Sequence, residues 1–131
     1  MGIKKRLYSW KQYNTDIEKI YNQIKLKGLK VDAIYGIPKG GLIAGVHLAN
    51  LFDVPLITNY KDFSRVVKSE KILVIDDVSD TGSTFLKIKD IDKCYTVTLC
   101  IKYKTNFIPD IYGSKHPQDE WIEYSWECLN G

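Results

Sequence analysis

The run Ile72-Leu73-Val74-Ile75-Asp76-Asp77-Val78-Ser79-Asp80-Thr81-Gly82-Ser83-Thr84 sets four aliphatic residues directly before an acidic, hydroxyl-rich segment. An unbroken apolar run of this length is what a strand buried on both faces requires, and such strands belong to parallel sheets. The turn predicted to begin at Asp76 leaves the carboxyl end of that strand, where open parallel sheets bind their ligands. It leads into a helix through Phe85, Leu86 and Ile88. Thr81-Gly82-Ser83-Thr84 supplies consecutive backbone N–H donors, hydroxyls and a glycine that lets a ligand approach the main chain, which suits a phosphate monoester. Asp76, Asp77 and Asp80 would repel that phosphate unless they hold a cation or sugar hydroxyls, or one serves as an acid or base. The pattern asks for a phosphorylated polyol with a metal. A single Asp or Thr here would do no more than cap a strand or helix. The whole series, directly after the aliphatic strand, points to a ligand. No Gly-Lys-[Ser/Thr] follows the glycine, so the segment is not a Walker phosphate loop.

Working outward, Trp10, Tyr13, Ile17, Ile20, Tyr21 and Ile24 recur at helical spacing. Ser9 and Gln12 fit a capping box at the start of that helix, and Gly28 fits its end. Val31 to Ile37 reads as a buried strand, Leu42 to Phe52 as a helix, and Leu56-Ile57-Thr58 as a short strand opened by Pro55. Asn59 to Lys71 shows no period and is expected to be a mobile connection. Tyr95 to Tyr103, with Thr96, Val97, Thr98 and Ile101, reads as a further strand. The tail after Pro109 suggests short strands or a cap. The expectation is therefore one α/β domain spanning residues 1–131, with a central, mostly parallel sheet flanked by helices and a small hood or cap.

Between the first strand and the second helix, Pro38-Lys39-Gly40-Gly41 joins small residues to one basic side chain. Alone this is an ordinary tight turn. Placed before a helix, alongside the acidic motif, it reads as a second anion-binding loop.

Asp76 to Thr84 resembles the phosphoribosyl pyrophosphate motif of the type I phosphoribosyltransferases. The resemblance implies that Thr81, Gly82, Ser83 and Thr84 cradle the 5′-phosphate and that Asp76 and Asp77 face the ribose hydroxyls and their magnesium. In the purine branch of that family, Asp80 would be the catalytic group near N7 of the base. Tyr35 to Leu42 resembles the family's pyrophosphate loop, with Lys39 and Gly40 meeting the leaving group. Lys102, at a strand end, resembles the lysine that donates to the purine O6. Trp121-Ile122-Glu123-Tyr124-Ser125-Trp126-Glu127 resembles the base-stacking segment of the xanthine and guanine enzymes. It implies Trp121 as the stacking face, Ile122 as a main-chain edge contact, and Glu127 as a metal-side carboxylate alongside Asp77. The expected activity is transfer of ribose 5-phosphate to a 6-oxopurine, with Mg2+ as cofactor and phosphoribosyl pyrophosphate and the base as partners. The family is usually oligomeric, so a homo-oligomer is expected.

Two features depart from the family's commoner pattern. Lys39 stands where arginine is usual, which keeps the charge but loses the bidentate fork, so looser pyrophosphate binding is expected. The 59–71 connection is shorter than the usual mobile hood. These features support an alternative: a regulatory phosphoribosyl-binding module, or an enzyme for another base.

The composition, 44% hydrophobic and 27% charged, is that of a soluble globular chain. No apolar stretch approaches the roughly 20 residues a membrane helix needs, and Met1 to Arg6 leads into polar sequence, so no membrane partner and a cytoplasmic location are expected. Cys94, Cys100 and Cys128 lack C-x-x-C spacing and read as reduced structural thiols. The net charge is +3, and residues 1–30 carry eight Lys or Arg against Asp16 and Glu18, a local +6. These cations are scattered along a helical pattern without stacking aromatics, which disfavours nucleic acid as a partner. His47 and the loop-like His116-Pro117 carry no catalytic expectation.

Overall fold

The computed structural model describes residues 4–129. Met1, Gly2 and Ile3, the first residues of the stretch read as leading into polar sequence, lie outside the described residues. Five parallel strands form the main sheet: β2 (Ala33–Gly36), β3 (Leu56–Ile57), β4 (Ile72–Ser79), β5 (Tyr95–Lys102) and β6 (Ile111–His116). Their spatial order is β3-β2-β4-β5-β6. β4 is central because its residues can be buried on both faces. Leu73 and Ile75 point to one side and Ile72 and Val74 to the other, all without exposed surface.

Helices α1 (Trp10–Leu26) and α2 (Leu42–Phe52) cover one face. There Ile17, Ile20, Ile24 and Leu48 pack on Leu73, Ile75, Val97 and Leu99. Each such side chain contributes roughly 1.5–3 kcal/mol by leaving water. The Ser9 hydroxyl accepts from the Gln12 N–H at 3.0 Å, as a helix cap should. The reciprocal half of the expected capping box is absent, because the Gln12 amide donates instead to Asp16. Gly28, at φ +64°, takes the left-handed conformation that stops α1.

The opposite face is covered by α3 (Tyr60–Val66) and by α4 (Ser83–Leu86), which is a single turn. Phe63 and Phe85 are fully buried there among Tyr35, Ile72 and Val74. α3 corrects the expectation of a mobile connection over 59–71. The Asn59 side chain accepts from the Asp62 N–H at 2.8 Å, and Phe63 stacks on Tyr35 with ring centroids 4.7 Å apart. Phe63 and Val67 are buried and Val66 packs beside them, an apolar set confined to one short helix and its C-cap within the 59–71 segment.

Other expectations also change. β4 runs on to Ser79, so Asp76 and Asp77 lie within the strand and the turn begins at Asp80. The helix expected through Ile88 ends at Leu86. β6 completes the main sheet, and His116, expected in a loop, is its last residue and is buried. The basic start of the chain forms β1 (Lys4–Tyr8), paired in parallel with β7 (Glu120–Tyr124) in a two-stranded sheet. Trp126 is half-buried and stacked on Tyr124 at 4.8 Å. No described helix is long and apolar enough to cross a membrane.

Candidate active site

The site is assembled where β2, β4 and β5 end on the same side of the sheet. Beyond Gly36, the chain folds back onto β4: the Ile37 N–H donates to the Ile75 carbonyl at 3.0 Å and the Gly41 N–H to the Ile37 carbonyl at 2.7 Å. The Pro38–Lys39 peptide bond is cis. A side-chain carbon at Gly40 would collide with the Asp77 carboxyl group, and one at Gly41 with the Ile75 carbonyl. The second glycine-rich loop and the acidic run are therefore in direct contact, which the sequence alone did not require.

Asp76 and Asp77 point to opposite sides of β4, and both are withdrawn from water. Burial raises the Asp76 pKa to about 8, with the charge of Asp77 adding to the effect. Burial also raises Asp77, and the nearby charge of Glu127 pushes it further in the same direction. A cation beside either carboxyl group would favour its ionised form. Among the described residues no three acidic, imidazole or thiol groups converge into a cage. Asp77 and Glu127 would suit an ion such as magnesium, which takes one or two carboxylates and completes its shell from phosphates and water.

The turn after β4 is braced by the segment after β5. The Ser79 hydroxyl donates to the Phe107 carbonyl at 2.6 Å, the Asn106 N–H donates to the Thr81 carbonyl at 3.0 Å, and Phe85 stacks on Phe107 at 4.8 Å. Gly82 lies at φ +89°, and a side-chain carbon there would approach the Phe107 nitrogen to 2.6 Å, so glycine is required on both grounds. Since α4 is one turn long, the cradle rests on local N–H groups and hydroxyls rather than on a helix dipole.

Three cavities meet around this framework. One of about 250 Å³ is lined by Asp76 to Phe85 and includes Thr81, Gly82, Ser83 and Thr84. A second, about 180 Å³, is lined by Asp77, Asp80, Lys102, Trp121, Ile122 and Glu127. The third, about 520 Å³, lies between Lys39, Gly40 and Ile43 on one side and Trp126 and Glu127 on the other. Asp77 and Asp80 belong to the first two, and Glu127 to the second and third.

Within the second cavity, Trp121 is 54% exposed and free to present its ring, whereas Ile122 is buried. Lys102 is 3% exposed, and its ammonium donates to the Glu120 carbonyl, so it is no surface lysine. Every sequence-predicted site residue borders one of these three cavities. Gln118, which the sequence did not single out, hydrogen-bonds the Asp80 carboxylate at 2.8 Å from the β6–β7 turn. Only a long-range contact could reveal it. Cys100 is buried, which pushes its thiol up to about 12 and leaves it unreactive at neutral pH.

No protein-family model matches the chain. Solved structures do. A purine phosphoribosyltransferase from Pyrococcus horikoshii superposes with a TM-score of 0.76, at 26% identity and covering 95% of each chain. The xanthine-guanine-hypoxanthine phosphoribosyltransferase of Helicobacter pylori gives 0.74 at 21% identity, covering 94% of this chain and 93% of that one. A hypothetical protein from Neisseria gonorrhoeae with bound ppGpp gives 0.78 at 21% identity, covering 99% and 93%. With its parallel β3-β2-β4-β5-β6 sheet and the Asp76–Thr84 run at the end of β4, this chain has the type I phosphoribosyltransferase fold, in the form shared by the purine branch.

Proposed function

We propose that the protein transfers ribose 5-phosphate from phosphoribosyl pyrophosphate to N9 of a 6-oxopurine, releasing pyrophosphate. The observation that carries this reading is the meeting of three cavities at Asp77, Asp80 and Glu127. Their linings suit a phosphate monoester, a planar base and a leaving group in chemistry. The Thr81–Thr84 cradle takes the 5′-phosphate, Asp76 and Asp77 face the ribose hydroxyls, and Lys39 with Gly40 receives the pyrophosphate.

In the second cavity Trp121 stacks on the base, Lys102 donates to O6, and the Ile122 main chain meets the purine edge. Magnesium bound at Asp77 and Glu127 would neutralise charge on the departing pyrophosphate. The bond from C1 of the ribose to the pyrophosphate oxygen breaks, its electron pair leaving with that oxygen. N9 then forms the new bond to C1, and the proton on N7 passes to the Asp80 carboxylate. Positioning and electrostatics supply most of the rate.

The direct experiment incubates the protein with magnesium, phosphoribosyl pyrophosphate and, separately, guanine, xanthine, hypoxanthine, adenine and orotate, and measures pyrophosphate. Release with a 6-oxopurine is expected; release with none of the five removes the reading. Trp121→Ala should raise KM for the base roughly tenfold, the order of one lost stacking contact, with KM for phosphoribosyl pyrophosphate unchanged. Gly40→Ala should weaken phosphoribosyl pyrophosphate binding about tenfold, as losing one hydrogen bond to a charged group would, because the new methyl displaces the Asp77 carboxylate. Calorimetry with the intact protein checks the second, and an unaltered affinity would mean that Asp77 is not part of that site.

A second reading has its own support. The Neisseria gonorrhoeae neighbour was solved with bound ppGpp, and Lys39 lacks an arginine's fork. A regulatory module that binds a guanine nucleotide at these cavities would bind ppGpp in the calorimeter and release no pyrophosphate with any base.

A further inference from the structure

Gln118 sits exposed in the turn between β6 and β7, outside the residues given roles above. Its Nε2 donates to Asp80 Oδ1 at 2.8 Å and, at 3.4 Å, to the Asp80 carbonyl. Its Oε1 accepts from the Lys104 backbone N–H at 2.9 Å. A backbone N–H can only donate, so Oε1 must face Lys104 and the NH₂ group must face Asp80. The amide orientation is therefore dictated by its surroundings. The turn is itself closed, with the Glu120 N–H donating to the Pro117 carbonyl at 3.2 Å and the Tyr103 N–H to the His116 carbonyl at 3.1 Å.

Asp80 follows the last residue of β4, and its neighbours Ser79 and Thr81 are tied to Phe107 and Asn106 through Oγ and the carbonyl. Those bonds fix the backbone but leave the carboxylate free to rotate. Among the described residues, the Asp80 carboxylate accepts a hydrogen bond from Gln118 alone. We infer that Gln118 is a positioning residue for Asp80: it holds one carboxylate oxygen and leaves the other turned to the base cavity to take the proton. This rests on the phosphoribosyltransferase reading.

Gln118→Glu tests it, since the substitution keeps the side-chain length and the acceptor for Lys104 while placing a carboxylate oxygen against that of Asp80. Two carboxylates at hydrogen-bond distance cannot both ionise, so the pair should hold a proton. The other ionisable groups on the cavity, Asp77, Lys102, Tyr124 and Glu127, are unchanged. Expected at pH 8 is a kcat lower by roughly tenfold or more, KM for phosphoribosyl pyrophosphate within about twofold, and a pH profile of kcat displaced to higher pH, because the added carboxylate raises the pKa of the base. Gln118→Ala should lower kcat about fivefold without moving the profile. In an Asp80→Asn background, Gln118→Glu should add no further loss. A parent-like profile, or losses that simply add, overturns the assignment.

The contact is also readable without turnover. The ¹H–¹⁵N signals of the Gln118 side-chain amide should titrate with pH in the parent and lose that response in Asp80→Ala. An amide indifferent to Asp80 overturns the inference. A parent that turns over no base while its amide follows Asp80 overturns the reaction instead.

Discussion

Replacing Asp80 with asparagine should lower turnover by roughly two to three orders of magnitude, the usual contribution of a positioned acid or base, while phosphoribosyl pyrophosphate affinity stays within about twofold. Asp80 borders both the cavity proposed for the phosphate and the one proposed for the base, yet the proposed phosphate cradle is built from the four residues that follow it. Asparagine preserves the shape of the side chain and still offers an acceptor to Gln118. It removes only the capacity to take a proton. Steady-state kinetics paired with calorimetry separates the two effects. Equal losses in both would make Asp80 a substrate-binding residue, and an unaltered kcat would exclude it as the base.

The second large effect concerns stability. The Asp76 pKa is raised from 3.8 in the free side chain to about 8 in the folded protein, and Asp77 is raised as well, in both cases chiefly by burial. Between those values the folded chain binds more protons than the unfolded one, so stability falls as pH rises. It is fully present below the unfolded pKa and lost as pH passes the folded one. His116 acts in the opposite direction: burial lowers its pKa, so it destabilises the fold as pH drops below its ordinary value of 6.5. From pH 6.5 to about 8 the fall therefore comes chiefly from the aspartates, the buried thiols of Cys94 and Cys100 adding to it only as pH nears 9.

With a chelator present, Tm should fall by roughly 5 °C or more across that interval, given about 1.4 kcal/mol per proton and pH unit. Asp76→Asn should flatten the fall. Magnesium should do the same, because a cation favours the ionised carboxylates. Thermal unfolding by circular dichroism at several pH values measures all three, and a Tm independent of pH in the chelator would overturn the burial argument. A parent whose Tm is insensitive to magnesium at pH 8.5 would remove the cation from Asp77 and Glu127.

Helix and strand signals that depend on neighbours in sequence were legible. The aliphatic run of β4, the amphipathic period of α1 and the unusual backbone demanded at Gly28 and Gly82 all arise from local geometry, so residue type alone expresses them. The same holds for the acidic-hydroxyl run: charge, hydroxyls and glycine directly after a strand point to a phosphate ligand before any fold is known. The expectations that changed were those set by distant partners. β1 is a strand because it pairs with β7, whose residues lie 116 positions away, and its mostly exposed lysines gave no alternation to read. α3 is ordered by Phe63 packing on Tyr35. β4 extends through Asp76 and Asp77 because β5 offers ladder partners, a tertiary gain that outweighs the poor strand preference of aspartate.

The candidate site divides in the same way. That the chain carries a phosphoribosyl-type motif and a small anion loop was decided by the sequence itself, since each is a contiguous stretch whose chemistry is complete. That Gly40 lies against Asp77, that Lys102 is buried rather than solvated, and that Gln118 holds Asp80 were decided only by the fold. Each of these joins residues separated by 18 to 38 positions, and contacts across such distances exist only once the sheet has brought strand ends and loops to one edge.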